Sequence, residues 1–151
     1  MKCEEIMIHG PSWCVPTDTV ATVAKLMKAE NLDSVPVCKS RRNRHLVGSV
    51  TDHDLVCNVV TEGRNADRTT VQEIMTQKPV TCDEDDDLGV VLEVMRRNQA
   101  LRIPVVDESA ELIGVIALAD AILWTGEPKG IIEVISGMTQ YHRARRGGDC
   151  R

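Results

Sequence analysis

The stretch 48-GSVTDHDLV-56 carries a hydroxyl and a carboxylate at a spacing that chemistry can use. A β-branched run ends at Val50, Thr51 follows, and Asp54 stands three residues on. One reading is structural: Thr-x-x-Asp is a capping box, in which two free amides at a helix start are satisfied reciprocally. The other is a clasp. Unpaired amides at a helix start attract phosphate. A carboxylate beside them repels phosphate, so its fitting target is a pair of neutral donors such as a sugar diol. His53, between the two, either reaches a phosphate or is a solvated helix-surface histidine.

A second copy of this stretch bears on the choice. In 114-GVIALADAI-122 the glycine and the aspartate recur as Gly114 and Asp120, but Ala117 stands where Thr51 stood. Asp120 therefore persists where no hydroxyl is left to complete a box. Gly48 and Gly114 are expected to let a ligand approach the backbone closely.

Cys14 and Cys38 fall at the ends of two predicted strands that the fold should bring together. A disulfide there would close a loop of about 25 residues and stabilise by ~3 kcal/mol if unstrained. Plain packing is the competing reading, because the second copy keeps Cys82 for Cys14 but has Val106 for Cys38. The loop 39-KSRRNRH-45 is basic and its counterpart 107-DESAE-111 acidic. The basic loop is either a solvated hairpin tip or a contact for an acidic partner or ligand phosphates. The run 83-DEDDD-87 reads as acids at a helix start, where the dipole favours them. No Cys-x-x-Cys pair, Gly-rich phosphate loop, His-Glu-x-x-His or nucleophile elbow occurs, so neither a metal site nor catalytic residues are expected.

The elements that must position these groups come from a chain of 151 residues, 42% hydrophobic and 27% charged, with no Phe, two Trp and one Tyr. Val, Ile, Leu, Met and Ala must build the core. The scarcity of aromatic rings and the net charge of -5 argue against nucleic acid as a partner. The longest apolar stretch, 112-LIGVIALADAILW-124, is too short to span a bilayer and contains Asp120. No signal-peptide pattern opens the sequence, and a cytoplasmic location is expected.

Sliding the chain by 68 residues aligns Glu5-Ile6-Met7 with Glu73-Ile74-Met75, and Pro11, Cys14, Asp18, Val23 and Met27 with Pro79, Cys82, Asp86, Val91 and Met95. The same offset ends on Pro36-Val37 and Pro104-Val105, ten identities over residues 5–37. After a two-residue loss the offset is 66, and Leu46, Gly48 and Asp54 meet Leu112, Gly114 and Asp120. The chain is a tandem duplication. Each copy predicts a helical turn and a brief strand near 12–15 or 80–82. A helix opened by Asp18 or by the acidic run follows, with Val20, Val23, Ala24 and Met27 or Leu88, Val91, Leu92 and Met95 at helical spacing. A hairpin (34-SVPVC-38 with 46-LVGSV-50; 102-RIPVV-106 with 112-LIGVI-116) and a second helix at 52–61 or 118–125 complete the unit.

This order, with 34-SVPV-37, 47-VGSVTDHD-54, 102-RIPVV-106, 113-IGVIALAD-120 and the Ile-Met starts, resembles a tandem CBS-domain pair, named after cystathionine β-synthase. It is similar to small stand-alone bacterial CBS-pair proteins, and Cys14 and Cys38 give it a likeness to their hypoxia-response members. The resemblance implies an α/β fold of two β-α-β-β-α repeats packed sheet to sheet about a pseudo-twofold axis. Repeats are expected at 3–61 and 71–125, joined by a linker at 62–70 and followed by a C-terminal helix at 126–146 and a tail at 147–151.

The resemblance further implies a regulatory, non-catalytic homodimer in signal transduction, acting on an unidentified protein partner. It would sense an adenosyl ligand (AMP, ADP, ATP, NAD or S-adenosylmethionine) in a cleft between the repeats, with no other cofactor. Carried over residue by residue, Thr51 would contact phosphate and Asp54 the ribose. Asp120 would do the same with weaker phosphate handling, and Arg102, whose counterpart is Ser34, would contact phosphate. Val35, Ile103 and the backbone near Val15 would wall the adenine, though each reads equally as core. The alternative is a redox-responsive interaction protein switched by a Cys14–Cys38 disulfide, without nucleotide.

Overall fold

The computed structural model describes residues 1–126 and 129–144. Residues 127, 128 and 145–151, which include the expected tail and the end of the expected C-terminal helix, lie outside the described residues. The elements run α1 (Cys3–Ile6), β1 (Ile8–His9), α2 (Val20–Glu30), β2 (Ser34–Ser40), β3 (Asn43–Thr51), α3 (Asp52–Leu55) and a π-helical turn (Val56–Val60). Then follow α4 (Val71–Ile74), β4 (Thr76–Gln77), β5 (Cys82–Asp83), α5 (Leu88–Asn98), β6 (Arg102–Val106), β7 (Leu112–Ala117), α6 (Leu118–Thr125) and α7 (Lys129–Ala144). It is a mixed α/β chain built of two like halves.

The compact units are cut differently from the sequence repeats. One comprises Ser12–Pro79; the other joins Met1–Pro11 to the described residues from Val80 on. Each repeat thus lends its opening turn to the body of the other. The exchange is exact in register: β1 pairs antiparallel with β7 (Ile8↔Val115), and β4 pairs with β3 (Ser49↔Thr76). Cys3 N–H donates to the Asp86 carbonyl at 2.9 Å, and Val71 N–H to the Asp18 carbonyl at 2.8 Å, which are equivalent bonds 68 residues apart.

In the Ser12–Pro79 unit the sheet order is β2-β3-β4, with Cys14 bridged in parallel to Val37. α2 covers one face because Val20, Val23 and Met27 recur every three to four residues and are buried. Its N-cap is Thr19, whose hydroxyl accepts from Thr22 N–H at 3.2 Å; the expected opener, Asp18, instead accepts from Val15 N–H at 3.0 Å. Asn31, left-handed at φ 53°, ends the helix. Val35, Val37, Val50, Val59 and Val71 fill the core, each contributing roughly 1.5–3 kcal/mol by its burial.

The other unit repeats the plan in the order β1-β7-β6-β5. α5 buries Leu88, Val91 and Met95 and stops at Gln99, left-handed at φ 54°, the counterpart of Asn31. α6 ends at Gly126, also left-handed, and Ile131 and Val134 of α7 join this core.

Two expectations are corrected. Gly48 and Gly114 leave room for protein, not for a ligand. A Cβ on Gly48 would lie 2.7 Å from Met75 Sδ and 3.0 Å from the Thr76 carbonyl oxygen, and one on Gly114 would overlap Met7 Sδ. Both methionines belong to the exchanged turns. The Cys14–Cys38 disulfide is also absent: both residues are buried thiols. Cys14 sits opposite Val37 and packs in the same core, so strand alternation sends the next residue, Cys38, to the opposite face. Burial, with Asp18 and Cys38 adding to it, pushes the Cys14 thiol up to about 12.

Candidate functional site

The end of the β2–β3 hairpin positions Thr51. Ser34 is its cross-strand partner, and Asp52 N–H donates to the Asp33 carbonyl at 2.9 Å, which turns the chain into α3. Thr51 keeps an extended backbone (φ -108°, ψ 160°), as an N-cap requires. The capping box is formed: Asp54 N–H donates to Thr51 Oγ1 at 3.1 Å, and Thr51 N–H donates to Asp54 Oδ2 at 2.9 Å.

The box leaves capacity unused. Thr51 Oγ1 accepts one bond and keeps its own proton to donate. Asp54 uses Oδ2 and keeps Oδ1 as an acceptor. Both side chains are half-buried, so one donor and one acceptor stand side by side at the strand end. Cap and clasp are therefore compatible in one geometry.

His53 is exposed and its Nε2 lies 3.3 Å from Cys57 Sγ; Cys57 is buried. Beyond it the chain widens into the π-helical turn, where Thr61 Oγ1 donates to the Cys57 carbonyl at 2.6 Å. The sequence pattern predicts one helix over 52–61, and the π-helical turn interrupts it. The counterpart after β7 is a regular α-helix.

The equivalent corner of the other unit has the same backbone and fewer polar groups. Arg102 pairs with Ala117 across β6 and β7, and Leu118 N–H donates to the Leu101 carbonyl at 2.8 Å, matching the Asp52–Asp33 bond. Ala117 offers no hydroxyl. Asp120 is half-buried, and its carboxylate has no hydrogen-bond or ion-pair partner among the described residues. Arg102 is half-buried at the strand start.

Val35 and Ile103 are 0% and 1% exposed and belong to the two cores, and Val15 is 6% exposed. Their positions back the strands that carry Ser34 and Arg102. A third group carries no recognised motif in the sequence. Arg41 donates from Nη2 to both Asp18 oxygens at 2.7 and 2.8 Å, and its guanidinium lies 5.6 Å from the Trp13 ring centroid. This cluster sits at the loop end of the hairpin. Eight residues of β3 separate that end from Thr51, a span of ~25 Å at the rise of a strand. The basic loop thus cannot reach a phosphate held at Thr51. The pairing of Trp13 with Arg41, absent from the second repeat at Thr81, was the signal available.

The CBS domain family model matches residues 3–60 and 71–127. The chain belongs to the CBS domain family. Among curated relatives, the uncharacterized protein YlbB of Bacillus subtilis is 34% identical over 123 residues, 81% of this chain and 80% of its own length. The uncharacterized protein MK0525 of Methanopyrus kandleri is 30% identical over 107 residues, 71% of this chain, and this CBS-domain chain spans only 54% of that protein.

Solved structures share the fold. Hypoxic Response Protein I with two coordinated zinc ions is 24% identical with a TM-score of 0.74, covering 82% of this chain and 98% of that one. The CBS domain protein PAE2072 of Pyrobaculum aerophilum, complexed with AMP, is 21% identical with a TM-score of 0.74, covering 90% and 99%. The CBS domain pair of MJ0100, in complex with 5-methylthioadenosine and S-adenosyl-L-methionine, is 22% identical with a TM-score of 0.72, covering 83% and 92%. Among the described residues no helix is long and apolar enough to cross a membrane, and no group of three or more His, Cys, Asp or Glu could hold a metal ion.

Proposed function

We propose that this CBS-pair protein is a regulatory, non-catalytic sensor of an adenosyl ligand, held chiefly at Thr51 and Asp54. The observation that carries the reading is the unused capacity of the capping box. Thr51 Oγ1–H donates to a phosphate or carboxylate oxygen of the ligand, and Asp54 Oδ1 accepts from the ribose hydroxyls. Asp120 offers a second ribose acceptor, with Arg102 rather than a hydroxyl as its neighbour across the strand pair. Val15, Val35 and Ile103 act as apolar backing, and His53 lines the exposed side. The AMP and S-adenosylmethionine complexes of the structural neighbours support an adenosyl ligand. The protein works as a cytoplasmic homodimer that passes occupancy to a protein partner.

The test is thermal melting with AMP, ADP, ATP, NAD and S-adenosylmethionine, followed by titration calorimetry of any compound that acts. A ligand at 100 times its Kd adds ~2.7 kcal/mol, which for a chain of this length raises Tm by roughly 5–11 °C. No shift with any of the five at millimolar concentration would sink the sensor reading.

A further inference from the structure

The exchanged opening turn brings two thiols together. Cys3 N–H donates to the Asp86 carbonyl at 2.9 Å, which lays Cys3 over the turn that Asp86 N–H closes onto the Asp83 carbonyl at 3.0 Å. Leu88 N–H donates back to the Met1 carbonyl at 3.0 Å, so the chain around Cys3 is held from both sides. Cys82, which leads into the 83–86 turn, lies on β5 opposite Val105. Both residues are thiols in one core, 0% and 2% exposed. A hydrogen bond joins their side chains; it holds the Cys3 thiol below its ordinary value and Cys82 above it.

The other unit shows that packing does not demand this pair. Val71 N–H donates to the Asp18 carbonyl at 2.8 Å and Asp18 N–H to the Val15 carbonyl at 3.0 Å, the same arrangement 68 residues away. There Val71 stands for Cys3 and Cys14 for Cys82, and both are buried in the core. Valine therefore fills the position that Cys3 holds. Cys14 donates to the Pro36 carbonyl at 3.6 Å, and the exchanged turn offers it a valine rather than a second sulfur.

We propose that Cys3 and Cys82 form a reversible disulfide that locks the exchanged opening turn into the unit it completes. The oxidant is a low-molecular-weight disulfide. Because both thiols are buried, the reaction begins when the opening turn lifts, a local opening that leaves the rest folded. The Cys3 thiolate attacks one sulfur of the oxidant, whose S–S bond breaks and releases one small thiolate. As the turn redocks, Cys82 gives up its proton and attacks Cys3 Sγ, and the second small thiolate leaves. Two protein thiols are oxidised to one disulfide, the oxidant is reduced to two small thiols, and those thiols take up the two protons. The bond ties down β1 on β7 and Met7 against Gly114. In a reducing compartment it is made and broken rather than permanent. The lock is independent of nucleotide binding.

The test uses full-length wild type, Cys3→Val and Cys14→Ala, each reduced and then treated in the folded state with oxidised glutathione at about 5 mM. Circular dichroism confirms folding first. Acid-quenched tryptic digests, run without reductant, should link the peptide beginning at Cys3 to the peptide beginning at Thr69, which carries Cys82. The first peptide also carries Cys14, so the link should vanish in Cys3→Val and persist in Cys14→Ala. The disulfide closes a loop of about 80 residues, and oxidised wild type should melt at least ~5 °C above reduced wild type. Dithiothreitol should reverse that rise, and Cys3→Val should not show it. Wild type that forms no link, or that stops at glutathione on one thiol, overturns the proposal. So does a link that survives Cys3→Val or is lost in Cys14→Ala. A link that leaves the melting point unchanged overturns the lock. None of these results bears on the adenosyl-ligand reading.

Discussion

The sulfur of Met75 occupies the place where Gly48 would carry a side chain: a Cβ there would lie 2.7 Å from Sδ. The same relationship links Met7 and Gly114. Gly48→Ala and Gly114→Ala should each overpack the site and destabilise by about 1–3 kcal/mol. Chemical denaturation checks this. Gly48→Ala combined with Met75→Ala should cost less than the sum of the two single changes, a coupling of at least ~0.5 kcal/mol. Strict additivity would mean that the methionine does not set the need for glycine.

Thr51→Ala removes both a cap and a donor. It should cost about 0.5–2 kcal/mol of stability and weaken any adenosyl ligand found by titration. Asp54→Ala should abolish the ligand-induced melting shift more completely than Asp120→Ala. Equal losses would contradict the ranking of the two corners.

Asp18 is expected to matter more than its exposed partner Arg41. Arg41→Ala loses a largely solvated ion pair and should stay within about 1 kcal/mol of wild type. Asp18→Ala also leaves the Val15 amide without its acceptor and should cost about 1–3 kcal/mol. Trp13 emission, read in a Trp124→Phe background, should change in both variants because the guanidinium leaves the ring face.

The Cys14 thiol should resist alkylation at pH 8 in the native protein and react once unfolded. Its folded value near 12 lies above the ordinary 9.0, so the unfolded chain loses this proton first. The stability tied to the thiol is complete below pH 9 and is lost as pH rises towards 12. Cys14→Ala should flatten that alkaline limb; an unchanged limb would assign the loss to other groups.

Much of the fold was legible because local rules repeat. Val20, Val23 and Met27, like Leu88, Val91 and Met95, mark a buried helix face by spacing alone. The Pro-Val and Gly runs mark two hairpins whose observed registers, Val35↔Val50 and Ile103↔Ile116, follow from β-branched residues on one face. Thr51 and Asp54 were legible as a box because its bonds span only three residues.

Other features were set by contacts remote in sequence. Nothing local states that Met7 packs on Gly114 rather than on Gly48, since either glycine would accept either turn. Cys14 and Cys38 looked poised to pair because proximity can be inferred from strand order, whereas the face each occupies depends on the bridge register with Val37. Opposite charge on the two hairpin tips was visible at once. The meeting of Cys3 with Cys82 depends on the exchanged turn. The sequence by itself determined two like α/β units of the CBS kind and a hydroxyl–carboxylate pair at a strand end, through short-range periodicity and capping chemistry. Only the tertiary structure decided which turn completes which sheet, because that choice is made by steric fit between residues more than twenty-five positions apart.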